Sequence, residues 1–106
     1  MANNRYTLDL CRSLIDDTIL VSETEIYQAM QALFFEDRLV VEGAAATGVA
    51  SLLNGRIPDL SGPTATILSG RNVDTKMFAG IIAGRTLDLG DIRIPGAPYQ
   101  LVQAAR

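Results

Sequence analysis

The chain has 106 residues, a hydrophobic fraction of 48% and a net charge of -3, which allow one small domain with a thin core. It has one cysteine, Cys11, and no histidine. An internal disulfide, a cysteine metal cluster and histidine-assisted nucleophilic catalysis are therefore excluded within it. The basic residues are scattered, and no apolar run is long enough to span a membrane. We expect no nucleic acid, no membrane partner, no metal and a cytoplasmic location.

The first helix and the first strand are predicted from the amino-terminal pattern. Residues 5–15 carry apolar side chains at helical spacing, with Cys11 on the apolar face and therefore in the core. Residues 18–21 form a short apolar run rich in β-branched side chains, which predicts a buried strand. The pattern thus begins as a helix followed by a strand.

A capping box marks the start of the next helix. Ser22 is followed three residues later by Glu25, and this spacing predicts a helix that begins there and ends near residues 37–38. Residues 39–41 are apolar and indicate either a short strand or the start of another helix. Residues 43–53 are rich in alanine at helical spacing, which favours a helix packed closely against a neighbouring layer.

A strand and a fourth helix are predicted after this point. Asn54-Gly55 is typical of a helix end. Residues 64–68 are almost continuously apolar, which predicts a strand buried on both faces. Asn72 or Asp74 begins the following helix, and Gly84 ends it. In an open α/β sheet, ligands bind where the strands end, so the serine after residue 68 lies at a possible site.

The carboxy-terminal segment has a different pattern. Residues 87–89 and 92–94 alternate like short strands around Gly90, and a proline-rich run follows. We predict two units, residues 1–85 and an irregular tail over residues 86–106. The expected fold is α/β, a partial three-layer sandwich in which helices flank a mostly parallel sheet of few strands.

Four stretches match a known family, in the correct chain order. They are Asn4-Arg5-Tyr6-Thr7, Val21-Ser22-Glu23-Thr24-Glu25-Ile26, Val40-Val41-Glu42-Gly43-Ala44-Ala45-Ala46 and Ser69-Gly70-Arg71-Asn72-Val73-Asp74. Together they resemble the carboxy-terminal portion of threonine and serine dehydratases, which are fold type II enzymes that use pyridoxal phosphate. The resemblance covers about residues 4–84 and implies that residues 1–85 are part of such a domain.

The resemblance implies a cofactor-binding role for four residues. Ser69 would contact the ring nitrogen of pyridoxal phosphate, and Glu42, Gly43 and Gly70 would line the cofactor pocket. From the residues alone, Ser69 could instead satisfy backbone groups of a turn, and Glu42 could stabilise the start of a helix. Both alternatives stay open at this point.

Arg71 differs from the family's more common pattern, in which a second glycine occupies this position. An arginine there resembles the dehydratase branch associated with ectoine and hydroxyectoine breakdown. The side chain could meet a substrate carboxylate or point to solvent.

Two requirements of catalysis are missing from the sequence. The cofactor aldehyde needs a lysine, and the only lysine, Lys76, lacks the family's surrounding motif. A phosphate site usually needs consecutive glycines, and no two of the nine glycines are adjacent. We therefore predict no catalytic residue and no cofactor bound by this chain alone.

The resemblance implies a reaction only for an intact enzyme. That reaction is an ammonia-lyase type elimination of water from a β-hydroxy amino acid. The main alternative is a stand-alone, non-catalytic interaction module that forms homo-oligomers through residues 64–68 or the tail. A small-ligand-binding domain with a pocket at Ser69 is a third possibility.

Overall fold

A computed structural model gives the fold of residues 5–58 and 60–100. Its elements are helices α1 (Arg5–Leu14), α2 (Glu23–Asp37), α3 (Thr47–Leu53) and α4 (Thr75–Ile82), a 3-10 helix (Gly43–Ala46), and strands β1 (Leu87–Asp88) and β2 (Arg93–Ile94). The α/β class is confirmed, since helices and a sheet share one core.

Helix α2 begins with the predicted capping box. The Ser22 hydroxyl accepts the Glu25 backbone N–H at 3.1 Å, and the Glu25 carboxylate accepts the Ser22 backbone N–H at 2.8 Å. The helix ends at Asp37, where Arg38 takes the left-handed conformation with φ 57°. Two backbone donors at the helix start are satisfied within the cap, so this boundary follows from local sequence.

Helix α2 lies at the centre of the core. It packs against α3, the 3-10 helix, α4 and β2. The buried apolar residues of this core are Tyr27, Ala29, Met30, Leu33, Val41, Ala45, Ala46, Ala50, Ile81 and Ile94. Four of them are alanines, so the helices approach closely, as the sequence pattern indicated for residues 43–53.

Two polar side chains of α2 connect it to distant parts of the chain. The buried Gln31 amide donates to the carbonyl oxygens of Ile81, at 2.9 Å, and Ala97, at 2.8 Å. The Tyr27 hydroxyl donates to the carbonyl oxygen of Arg85 at 2.8 Å. These bonds hold the end of α4 and the segment after it against α2.

The strands β1 and β2 form an antiparallel hairpin, which confirms the alternation noted around Gly90. Leu87 pairs with Ile94, and Asp88 pairs with Arg93. Gly90 has φ 95° at the turn, a conformation that glycine adopts without a steric penalty. Ile94 is buried, so the described part of residues 86–100 packs into the same core as the helices.

The predicted parallel sheet is not found in the described residues, where β1 and β2 make the only strand pair. Residues 18–21 and 64–68 form no strand and pair with none in the described part of the chain, so neither strand prediction is confirmed. Burial on both faces is also wrong for 64–68, because Ile67 is 84% exposed. A parallel strand needs neighbouring strands, and among the described residues no strand lies beside these two segments.

Helix α1 confirms the first predicted helix, but none of its residues is buried. Cys11 is half-buried beside Leu8 and Ile15 and lies outside the core cluster, so its predicted core position is wrong. Apolar spacing identified the helix correctly, but the described chain has no surface large enough to bury its apolar face.

The remaining helix boundaries largely match the sequence pattern. Gly55, with φ 63°, follows α3, and Gly84, with φ 75°, follows α4. Asp74 rather than Asn72 caps α4, because its carboxylate accepts the Met77 backbone N–H at 2.9 Å. Among the described residues, no helix is long and apolar enough to cross a membrane.

Candidate functional site

The structure brings together two segments that are far apart in sequence. The Glu42 backbone N–H donates to the Gly70 carbonyl oxygen at 3.1 Å. The Glu42 carboxylate also lies over the Gly70 Cα, where a Cβ would come within 2.9 Å of the Glu42 Cδ. Glycine at position 70 therefore leaves the space that the Glu42 side chain occupies.

Glu42 also begins the 3-10 helix, through its backbone. Its carbonyl oxygen accepts the N–H groups of Ala45, at 3.0 Å, and Ala46, at 3.2 Å. Its side chain makes no capping hydrogen bond. The carboxylate faces Gly70 instead, so its contact is with the second segment and not with the helix start.

Ser69 lies at the end of the extended segment, next to this contact. The residue is exposed, and its hydroxyl makes no hydrogen bond within the described part of the chain. The structure therefore does not support the alternative in which Ser69 satisfies turn backbone groups. Arg71 is exposed too, and its carbonyl oxygen accepts the Val73 N–H at 3.0 Å.

Gly43 faces a different part of the molecule. It lines an apolar pocket of about 170 Å³ between α2, α4 and the hairpin. The other lining residues are Glu23, Ile26, Tyr27, Met30, Met77, Ile81, Leu87, Leu89 and Ile94. This pocket includes neither Ser69 nor Gly70. The predicted site is therefore divided, because Glu42 and Gly70 touch each other while Gly43 lies at the edge of a separate pocket. The pocket was not predicted, although the alternation of the hairpin residues signalled a buried face.

The residues present do not fit pyridoxal phosphate as a complete group. Lys76 is exposed in the first turn of α4, and no second lysine exists in the sequence. The glycines offer no run of consecutive amides for a phosphate. Across residues 5–58 and 60–100, no group of three metal-binding side chains occurs either.

An ion pair that sequence analysis missed fixes α2 against the chain after α3. Arg56 donates from Nε and Nη2 to the two carboxylate oxygens of Glu25, both at 3.0 Å. These bonds, followed by the Ser22 backbone N–H, hold the pKa of Glu25 below its usual value. The hydrogen bonds to Glu25 likewise raise the pKa of Arg56. Nothing in the local sequence signals a pair 31 residues apart.

Fold and site together define an α/β arrangement in which Glu42 and Gly70 touch, with Ser69 next to them in the chain. No family model matches the chain, and no solved structure matches it. Curated relatives do match. The L-threonine ammonia-lyase of Geobacter sulfurreducens is 44% identical over 105 residues, covering 93% of this chain and 26% of the relative.

Two further relatives match over a shorter stretch. The catabolic L-threonine dehydratase of Escherichia coli K12 is 41% identical, covering 71% of this chain and 23% of the relative. The phenylserine dehydratase of Ralstonia pickettii is 37% identical, with the same two shares. The chain thus spans about a quarter of the length of the curated relatives it matches.

These relatives confirm the resemblance to one part of the threonine dehydratases that the four sequence stretches indicated. The Geobacter match covers 93% of the chain, so it extends into residues 86–106. That extent exceeds the resemblance noted from the sequence, which ended near residue 84.

Proposed function

We propose that this chain is the carboxy-terminal part of a fold type II dehydratase that uses pyridoxal phosphate. The intact protein would eliminate water from a β-hydroxy amino acid, giving a keto acid and ammonia. The chain by itself is not catalytic, because it supplies neither the lysine nor the phosphate site.

One observation carries the proposal. The Glu42 carboxylate lies over Gly70, and Ser69 is the next residue. The two segments that resemble the dehydratases therefore meet in space, although 27 residues separate Glu42 from Ser69. In this proposal Ser69 contacts the ring nitrogen of the cofactor, while Glu42, Gly43 and Gly70 line its pocket.

Finer features of the intact protein belong to the same proposal. In the intact enzyme, residues 18–21 and 64–68 would belong to a mostly parallel sheet that the rest of the enzyme completes. The location of the enzyme would be the cytoplasm. We base the placement in the ectoine and hydroxyectoine branch on residue type alone, because Arg71 occupies a position that is commonly glycine in the family.

A chimaera tests the proposal most directly. This chain would replace the aligned 105-residue segment of the Geobacter sulfurreducens enzyme. We expect ammonia release from L-threonine with added pyridoxal phosphate, and a lower kcat when Ser69→Ala is introduced. Ser61→Ala, in an exposed loop, is the matched control and should keep the chimaera's rate. A folded chimaera without activity would contradict the proposal.

A second experiment tests the chain alone. With pyridoxal phosphate and either L-threonine or L-serine, the pure chain should release no ammonia. Measurable release would refute the statement that the chain is not catalytic by itself.

The second candidate function is a stand-alone interaction module that forms homo-oligomers. Exposed apolar side chains on α1 favour it, with Leu8 49% and Leu14 73% exposed. Sedimentation of the pure chain tests this candidate. A monomer at high micromolar concentration would speak against it.

A further inference from the structure

The apolar pocket between α2, α4 and the hairpin has a buried floor and an exposed rim. Its floor includes Tyr27, Met30 and Ile81, which belong to the buried core. Its rim includes Glu23, which is exposed, and Leu89, which is 48% exposed. The pocket therefore opens to solvent between the first turn of α2 and the turn of the hairpin.

The volume of this pocket suits a small apolar group. It measures about 170 Å³, and an apolar cavity of about 150 Å³ stays dry in water and accepts benzene. The Tyr27 hydroxyl already donates to the carbonyl oxygen of Arg85 at 2.8 Å. A water molecule on the floor would therefore gain little hydrogen bonding, whereas a six-membered ring would fill the space.

The side chains of the lining favour an aromatic ring over an aliphatic group. Met30 of α2 and Met77 of α4 both line the pocket, together with the Tyr27 ring. Thioether sulfurs make favourable contacts with ring edges, and methionine adapts its shape to the group beside it. Aromatic rings also attract each other in edge-to-face or offset arrangements. An aromatic occupant gains from both kinds of contact.

The charge at the rim indicates the charge of the ligand. Glu23 is acidic, and none of the described residues that line the pocket is basic. Within the described part of the chain, the Glu23 carboxylate has no hydrogen bond or ion pair, whereas that of Glu25 is paired with Arg56. A carboxylate at the mouth of an apolar pocket attracts a cation and repels an anion.

We propose that this pocket binds a small aromatic ammonium ion, with its ring between Met30 and Met77 and its ammonium group at Glu23. The ligand would contact α2, α4 and the hairpin together and would stabilise their packing. Neither Glu42 nor Ser69 lines the pocket. The inference therefore goes beyond the proposed function and does not depend on it.

A titration of the full chain with benzylammonium chloride tests the site. We expect a Kd of about 1 mM or lower, with nuclear Overhauser contacts from the ring to the methyl groups of Met30 and Met77. The Tm should rise with ligand concentration, because the ligand binds the folded state. Benzyl alcohol, a neutral ligand of the same shape, should bind about threefold more weakly, and phenylacetate more weakly still.

Glu23→Gln tests the contact with the ammonium group. It should abolish the preference for benzylammonium over benzyl alcohol and leave the Kd of the alcohol unchanged. Asp37→Asn is the matched control, because it removes one exposed negative charge at the other end of α2. That variant should keep the wild-type preference.

Gly43→Val tests the position of the ring. A Cβ at residue 43 would lie 3.4 Å from Ile26 and 4.0 Å from the sulfur of Met30, and both of these side chains line the pocket. The φ of residue 43 is not positive, so valine brings its methyl groups into the pocket without left-handed strain. Binding should weaken about tenfold or more. Ala44→Val, at the exposed neighbouring position, should keep the wild-type Kd.

Three results would overturn the proposal. They are no binding of benzylammonium at about ten times the expected Kd, equal binding of the three ligands, and ring contacts that do not include Met30 or Met77. If Gly43→Val does not fold, Glu23→Gln still decides, because its position is exposed. Every measurement is made on the chain without pyridoxal phosphate, so the result stands whether or not the chimaera is active.

Discussion

The carboxylate of Glu42 occupies the space that any side chain at position 70 would need. The described position of the Glu42 side chain therefore requires glycine at position 70. The same two residues share a backbone hydrogen bond of 3.1 Å, which fixes the distance between their segments.

Gly70→Ala should displace the Glu42 side chain. The new Cβ meets the far end of a flexible side chain, which can turn away, so we expect a stability loss of about 1 kcal/mol or less. The nuclear Overhauser contact between the Glu42 side chain and residue 70 should disappear. In Gly43→Ala the new Cβ lies 3.4 Å from Ile26, an ordinary contact, and the Glu42 contact should persist. Retention of that contact in Gly70→Ala would show that the described position of Glu42 is wrong.

Gly96→Ala should be much more damaging. A Cβ at this position would overlap backbone atoms of Gly84, Arg85 and Thr86, which cannot turn away as a side chain can. We expect a loss of about 3 kcal/mol or more in urea unfolding. Gly62→Ala, where φ is 83° and nothing lies within 4 Å, isolates backbone strain and should cost about 1 kcal/mol. Equal losses in the two variants would contradict the packing of residue 96 on the end of α4.

Gln31→Met should remove the donor that holds the chain after β2. The carbonyl oxygen of Ala97 would lose its bond, whereas that of Ile81 keeps the Gly84 N–H at 3.1 Å. We expect a loss of about 1–3 kcal/mol in the free energy of unfolding. Gln28→Met, at an exposed position of the same helix, should be nearly neutral. An unchanged free energy of unfolding in Gln31→Met would show that the hydrogen bond from Gln31 to Ala97 contributes little to stability.

The Glu25–Arg56 pair predicts a pH dependence. The pKa of Glu25 is lower in the folded chain than in the unfolded chain, so the folded state binds its proton less readily. Its contribution to stability is therefore complete above the unfolded pKa of about 4.3 and is lost as pH falls through the lower, folded pKa.

Glu25→Gln should reduce the dependence of the free energy of unfolding on pH in this range. Urea unfolding between about pH 6 and about pH 2, a range that spans the titration of Glu25, measures it. Arg56→Gln should flatten it too, because the hydrogen bonds from Arg56 are the largest cause of the shift. Arg71→Gln removes an exposed arginine elsewhere and should keep the wild-type slope. An unchanged slope in Glu25→Gln would show that the pair does not stabilise the fold.

The local sequence determined the features that depend on interactions between residues close together in the chain. The box of Ser22 and Glu25 predicted where α2 begins, because its hydrogen bonds span only three residues. Alternation around Gly90 likewise indicated the hairpin. The pairing of Glu25 with Arg56 was not predictable in this way, since their contact depends on how α2 and α3 pack.

The sequence by itself also determined the relation to the dehydratases, through four short stretches in order. Only the tertiary structure decided that Glu42 and Gly70 touch, that Ser69 is exposed, and that residues 18–21 and 64–68 are unpaired. An apolar, β-branched run shows that a segment favours a strand in a buried sheet. Whether a sheet forms depends on the strands beside it, and within the described chain those neighbours are absent.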